Sequence, residues 1–442
     1  MNRLPSNMPA STTSHSPATN STARILTASL AGTAIEFFDF YIYATAAVLV
    51  FPKLFFPSSD ATAATLQSLA TFALAFFARP VGSAVFGHFG DRIGRKATLV
   101  AALLTMGLST VAIGLLPTYA SIGLGAPVLL ALCRFGQGFG LGGEWGGAIL
   151  LATENAPPGK RDWYGMFPQL GAPLGFLCSG GIFLLLTAFL DNEHFLSWGW
   201  RIPFLASSML VLVGLYVRLH ITETPAFLEV NARRGHVAVP MITVFRSHLA
   251  LLLLATLGAV ATFVIFYLLT VFCLSWGTSS LGYSRENFLV IQLVGVLFFG
   301  LSIPCSAWMA KRMGRRVMLI ASSAAILVFG LCFGPLFSAG FPGVMATLII
   351  GFILMGLTYA PLGTFLSELF PVEIRYTGSS LAFNLAGILG ASLAPYAATS
   401  LAISHGLWSV GLYLAIMAAV SLISLVLTRE SSVQGDPHRG TR

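Results

Sequence analysis

Twelve apolar stretches, separated by short clusters of charge, leave this chain of 442 residues few ways to fold. They fall at roughly 25–52, 62–87, 97–117, 126–152, 164–190 and 201–220, then at 247–276, 286–310, 317–338, 342–367, 377–402 and 407–428. Each is near the ~20 residues that a helix needs to cross a bilayer. In hydrocarbon every backbone N–H and C=O must be bonded within its own segment, so runs of this length read as transmembrane helices. Composition agrees, since 9% of the residues are charged and 56% are hydrophobic, whereas a soluble domain carries roughly 25% charge. The fold class is therefore an all-α membrane protein of twelve transmembrane helices in two six-helix bundles.

The formal charge of +8 would suggest nucleic acid in a soluble chain, but here the basic residues form no continuous domain. They sit between apolar runs on one side. If both termini are cytoplasmic, the outer side holds only Lys53, Arg201 and Arg285, and Arg79 and Arg134 lie within spans; every other Lys and Arg is inside. That bias sets the expected orientation, a multi-pass protein of the cell inner membrane. Residues 1–23, rich in Ser, Thr, Asn and Pro, lack the apolar core of a signal peptide and are expected to form a disordered cytoplasmic tail. The N-terminal bundle then covers 24–220, a polar cytoplasmic central loop 221–246, the C-terminal bundle 247–428 and a second cytoplasmic tail 429–442. Cys133, Cys178, Cys273, Cys305 and Cys332 all lie in apolar segments with no CxxC pair, which makes them packing residues rather than disulfides or metal ligands.

The two halves repeat one another. Gly90-Asp91-Arg92-Ile93-Gly94-Arg95-Lys96 follows the second span and Ala310-Lys311-Arg312-Met313-Gly314-Arg315-Arg316 the eighth. Glu154, Pro157 and Arg161 after the fourth span share their spacing with Glu368, Pro371 and Arg375 after the tenth. Two matched pairs at equivalent loops imply a duplicated six-helix unit, an architecture of secondary transporters.

Gly87 through Lys96 resembles the loop signature of the major facilitator superfamily. Ile35-Glu36-Phe37-Phe38-Asp39-Phe40-Tyr41, Arg134-Phe135-Gly136-Gln137-Gly138 running to Gly142-Gly143-Glu144, Trp200-Arg201-Ile202-Pro203-Phe204 and Ser367-Glu368-Leu369-Phe370-Pro371 resemble its metabolite–proton symporter family. That family includes carriers of shikimate, α-ketoglutarate, citrate and proline or betaine. The resemblance covers nearly the whole chain apart from the tails and leaves the substrate open. It implies the major facilitator fold, and a gating role for Asp91, which would meet the start of the eleventh span near Tyr376 to Ser380. Arg92, Arg95 and Lys96 would bridge to Glu154, Asp162 and neighbouring loops, with Arg161, Glu368 and Arg375 as further gating residues. Lys311 stands where the second repeat could have matched Asp91, so such a gate is asymmetric.

Ionisable groups at membrane depth cost several kcal/mol and so mark function or a satisfied internal network. Glu36 and Asp39 lie about 60° apart on one face of the first span, and Arg134 and Glu144 lie in the fourth. The functional reading makes Asp39, Glu36 and Glu144 the proton-coupling carboxylates, Glu36 the lesser of the first pair. Arg134 is then the deep cation that holds a substrate carboxylate, because a guanidinium binds one bidentately and stays charged. None of the eight His lies mid-span, which leaves the proton to the carboxylates. Gln137, Tyr43, Gln169, Tyr267, Gln292, Tyr359 and Asn384 form a second tier of substrate-binding candidates, with interhelical hydrogen bonding as their alternative role. The run of Gly from Gly136 to Gly147 is read chiefly as close helix packing. A Phe-rich first span is weak support for an aromatic substrate.

There is no phosphate-binding Gly-x-x-x-x-Gly-Lys loop and no nucleophile–base or metal-ligand constellation, so neither an enzyme nor an ATP-driven pump is expected, and no cofactor. The expected function is proton-coupled import of a small organic acid by alternating access, as a monomer, with protons, the substrate and the bilayer as its only partners. The alternatives are a symporter of zwitterionic osmolytes and a drug–proton antiporter, which would want an acid-lined, Arg-poor cavity. A receptor that only senses its ligand is a further alternative.

Overall fold

In the computed structural model, residues 22–93, 95–142, 144, 148–149, 152–153, 155–157, 159–219, 240–371 and 374–428 are described. The predicted tail 1–23 save its last two residues, which begin the first helix, the predicted tail 429–442 and most of the central loop lie outside these residues. Twelve long helices account for the chain: α1 Thr22–Leu49, α2 Ala61–Ile93, α3 Arg95–Leu115, α4 Gly125–Leu141, α5 Arg161–Phe189 and α6 Ile202–Leu219, then α7 Leu249–Ser279, α8 Arg285–Met313, α9 Arg315–Phe337, α10 Gly340–Leu369, α11 in the pieces Arg375–Gly387, Ile388–Ser392 and Ala394–His405, and α12 Leu407–Leu427. Nine of the spans among the described residues are long and apolar enough to cross a membrane by composition alone. The other three are α1, which carries Glu36 and Asp39, α3, whose apolar core is short, and α4.

Two boundaries differ from the sequence expectation. The fourth span, read as 126–152, is one continuous helix to Leu141, where Gly142 caps it; beyond it the Glu144 N–H bonds back three residues to Leu141 and the Ala148 N–H to Glu144, and residues 148–149 and 152–153 are again helical. The end of the predicted central loop is the short helix Pro240–Ser247. Even numbers of spans put both ends of the chain on one face of the bundle, called here the terminal face. On the opposite face Asp191 accepts from the His194 N–H at 2.8 Å and starts the short helix Asn192–Ser197. Those His194 contacts hold its exposed carboxyl below the usual range.

The packing repeats across the halves. α1 against α5 corresponds to α7 against α11, α2 against α4 to α8 against α10, and α3 against α6 to α9 against α12. The halves meet through α2 with α11 and through α5 with α8, which are themselves equivalent under the repeat. Small residues make these approaches possible, because in lipid helices associate by close packing. A Cβ on Gly138 would fall 2.1 Å from the Ala75 carbonyl oxygen and one on Gly142 2.0 Å from that of Arg79, so α2 and α4 touch backbone to backbone. Gly140 does the same toward α3, and Gly136 leaves room there for the Ser109 side chain. The glycine run in α4 is thus a packing device, and it sets the depth of Arg79. Between α8 and α9 the chain turns at Gly314, whose φ of 90° suits glycine; the turn delivers Arg315 to the first position of α9.

Candidate functional site

Between the halves lies a cavity with about 600 Å³ of empty space, open solvent included. α1 contributes Glu36, Phe37 and Tyr41, α2 Arg79, α4 Leu141 and α5 Ala172. From the other half come Thr262, Phe263, Phe266 and Tyr267 of α7, Met355 and Tyr359 of α10, and Phe383 and Asn384 of α11. Half of these side chains are aromatic. Two are charged, of opposite sign, and on adjacent helices.

Arg79 is 5% exposed and Glu36 3%. The Arg79 guanidinium carbon lies 4.6 Å from the ring centroids of both Phe40 and Phe76, so aromatic faces carry part of the charge that water would otherwise solvate. Its Nε has no acceptor, and Glu36 Oε1 has no donor, among the described residues. Two buried, incompletely satisfied charges facing one cavity are costly unless something else completes them. Pro80, next to Arg79, removes one helical N–H donor and loosens α2 at that depth.

Arg134 is elsewhere. It is fully buried within the N-terminal bundle and does not line the cavity. Phe40, Tyr43 and Phe72 surround its guanidinium at 4.2, 4.0 and 4.8 Å. Its Nη1 donates to Gln137 Oε1 at 3.0 Å, and Gln137 Nε2 donates to Thr110 Oγ1 at 2.8 Å. The Thr110 hydroxyl and that of Ser207 lie close enough to act on the carboxylate of Asp39, which is itself fully buried and makes no geometrically sound hydrogen bond among the described residues. A polar thread therefore runs Arg134–Gln137–Thr110–Asp39, behind the cavity wall. The expectation of a single deep cation is corrected here, because three guanidinium groups, Arg79, Arg134 and Arg218, are buried. Arg218, placed by its charge among inside loop residues, forms an ion pair with Glu144 and lies near enough to Glu36 to act on its charge as well.

The second-tier residues divide. Tyr267, Tyr359 and Asn384 line the cavity. Gln169 donates to the Tyr359 carbonyl at 2.7 Å and Asn384 to the Ser83 hydroxyl at 2.9 Å, each joining the two halves. Tyr43 donates to Thr71 at 3.0 Å beneath Arg134. Gln292 is off the cavity; its amide donates at 2.9 Å to the carbonyls of Leu269 and Thr270. Those carbonyls belong to a π-helical turn, Leu268–Phe272, where helical bonding is displaced by one residue and an extra donor is useful.

At the terminal face Arg315 pairs with both Asp162 and Glu368, so one side chain ties α9 to α5 and α10 across the halves. Asp162 thus meets the second repeat motif, where the sequence suggested partners in the first. Arg161 is exposed, and Arg375 Nε donates weakly to the Phe370 carbonyl at 3.4 Å. The side chains of Asp91, Arg92, Arg95 and Lys96, and Glu154 altogether, lie outside the described residues. If the Arg315 cluster closes this face, Arg315→Ala should speed labelling of a cysteine placed at Thr364 by several-fold. The reagent is a water-soluble maleimide, applied from the terminal face to a chain lacking its native cysteines. An unchanged rate would mean that the cluster does not hold the halves together.

Known proteins match this arrangement throughout. The model of the sugar (and other) transporter family matches residues 25–238 and again 237–434. The inner membrane metabolite transport protein YhjE of Escherichia coli K12 is 56% identical over 94% of this chain and 96% of its own length. The shikimate transporter of the same organism is 36% identical, over 91% and 93%. The chain belongs to the sugar (and other) transporter family of the major facilitator superfamily. As a member of it, the chain is a multi-pass membrane transporter of metabolites and not an enzyme. Its fold is that of the xylose transporter XylE from E. coli in a partially occluded inward-open conformation, with TM-score 0.73 at 16% identity, over 94% of this chain and 99% of that one.

Sequence reasoning missed Arg79 and Arg315 as site residues. For Arg79 the signal was there, an arginine in the middle of a span, which is a functional-site hypothesis by default. It stood outside every quoted motif.

Proposed function

We propose that this transporter is a proton-coupled importer of a small organic anion, working by alternating access in the cell inner membrane with both termini in the cytoplasm. The observation that carries the reading is the pair Glu36 and Arg79, opposite charges buried in one cavity with polar atoms left over. With Glu36 ionised its charge is shared between Arg218 of α6 and Arg79, which offsets part of the Arg79 charge, and an anion gains less by entering. Once Glu36 takes a proton from the outer side, that share of counter-charge is lost, and at Arg79, which faces the cavity, a carboxylate replaces it. Release inside follows in reverse when the proton leaves. Asp39, with Thr110, Gln137 and Arg134 behind it, is the second proton site, and Glu144 is held by Arg218. The cycle needs no cofactor, only the proton gradient, and one chain contains all of it.

The test uses purified protein in proteoliposomes, with substrate counterflow measured beside uptake driven by an imposed pH gradient, acid outside. Glu36→Gln resembles a permanently protonated carrier, so it should keep counterflow and lose gradient-driven accumulation by at least tenfold. Asp39→Asn should show the same split. If both variants still accumulate substrate against its gradient, protons are carried elsewhere or not at all.

A further inference from the structure

We infer that the cavity selects a monocarboxylate borne on a flat ring, and discriminates against di- and tricarboxylates and against linear acids. The inference rests on the proposed anion transport and adds the substrate's charge and shape to it. The charge follows from a count of what the walls offer. Among the described lining residues Arg79 is the one cation, and the remaining polar groups, Thr262, Asn384 and the tyrosines, are neutral. One guanidinium can complete one carboxylate. A second carboxylate in the same space would lie near Glu36, or near its protonated form with no cation to meet it, and a buried anion without a partner is strongly disfavoured.

The shape follows from the walls. Phe37 and Tyr41 face the cavity from one half, and Phe263, Phe266 and Phe383 from the other. These rings already support one another: Phe37 and Tyr41 are stacked at 5.5 Å, and Phe263 meets Phe383 edge-on at 4.8 Å. Preformed aromatic walls on both sides reward a flat body that stacks against them, whereas a linear chain covers little of them and loses more rotational freedom on binding. Aromatic walls also attract quaternary ammonium groups, which makes a betaine the rival occupant. The charge balance argues against it, because the cavity with Glu36 protonated holds a cation and no anion.

The experiment uses isothermal titration and thermal stabilisation on the purified full chain in detergent, with benzoate and nicotinate as flat-ring monocarboxylates, phthalate and citrate as polyacids, butyrate as a linear acid and glycine betaine as the zwitterion. Uptake of the tightest binder into proteoliposomes, with and without a pH gradient, runs alongside. The expected result is that ring monocarboxylates bind at least tenfold more tightly than the others, and that Phe37→Leu narrows their advantage over butyrate. Phthalate or citrate binding as tightly as benzoate overturns the charge rule, while gradient-driven uptake of that polyacid leaves the proton–anion reading standing. Butyrate binding as tightly as benzoate overturns the shape rule in the same way. Glycine betaine binding most tightly overturns this inference. Failure of every carboxylate to bind overturns both it and the proposed function.

Discussion

Arg79→Ala is expected to weaken substrate binding by two orders of magnitude or more. The estimate comes from a buried charge-assisted pair, whose disruption costs about 3–5 kcal/mol when one partner is removed and the other stays buried. Arg79→Lys should recover part of the loss, since it restores the charge without the planar fork. The contrast lies with Arg134→Ala. That guanidinium is sealed behind Phe40, Tyr43 and Phe72, so its removal should disturb proton coupling and stability while binding persists. Isothermal titration of both variants decides the matter. Binding retained by Arg79→Ala and lost by Arg134→Ala would move the anion out of the cavity and into the N-terminal bundle.

The second large effect concerns stability. Glu144 and Arg218 are buried partners on α4 and α6. Arg218→Met alone leaves the Glu144 carboxylate without its ion-pair partner, at an expected cost of about 3–5 kcal/mol, whereas Glu144→Leu alone leaves Arg218 the nearby charge of Glu36 and should cost less. The double variant removes both charges and should regain most of that loss, because buried ion pairs barely repay their desolvation. Thermal unfolding in detergent reads the comparison: Arg218→Met should melt well below the parent, and the double variant well above Arg218→Met. A double variant as unstable as Arg218→Met would show that Arg218 acts chiefly through another neighbour, Glu36 foremost.

The fold was legible because depth in a bilayer is written in hydropathy, and the repeat because two motifs recur at equivalent loops. What hydropathy does not carry is azimuth. Arg79 and Arg134 read alike along the chain, each an arginine mid-span. The glycine contacts of α2 with α4 fix how these helices face one another, with one arginine toward the cavity and the other behind its wall. Gln292 misled for a related reason. A buried amide in a span suggests a ligand, and nothing in the sequence announces the π-turn at Leu268–Phe272 whose carbonyls it completes. Arg315 belonged to a motif that had been noticed, but its bond to Asp162 depends on how closely the two halves approach, a property of neither half alone.

Phe40 stands one residue beyond Asp39, with the Arg79 guanidinium 4.6 Å and the Arg134 guanidinium 4.2 Å from the centre of its ring. Both cations lean on the same electron-rich surface. A turn of α1 about its own axis, such as a change of charge on Asp39 would favour, cannot ease one guanidinium without disturbing the other. The group that faces the cavity and the group buried behind its wall thus share a single ring, like two wheels on one pinion.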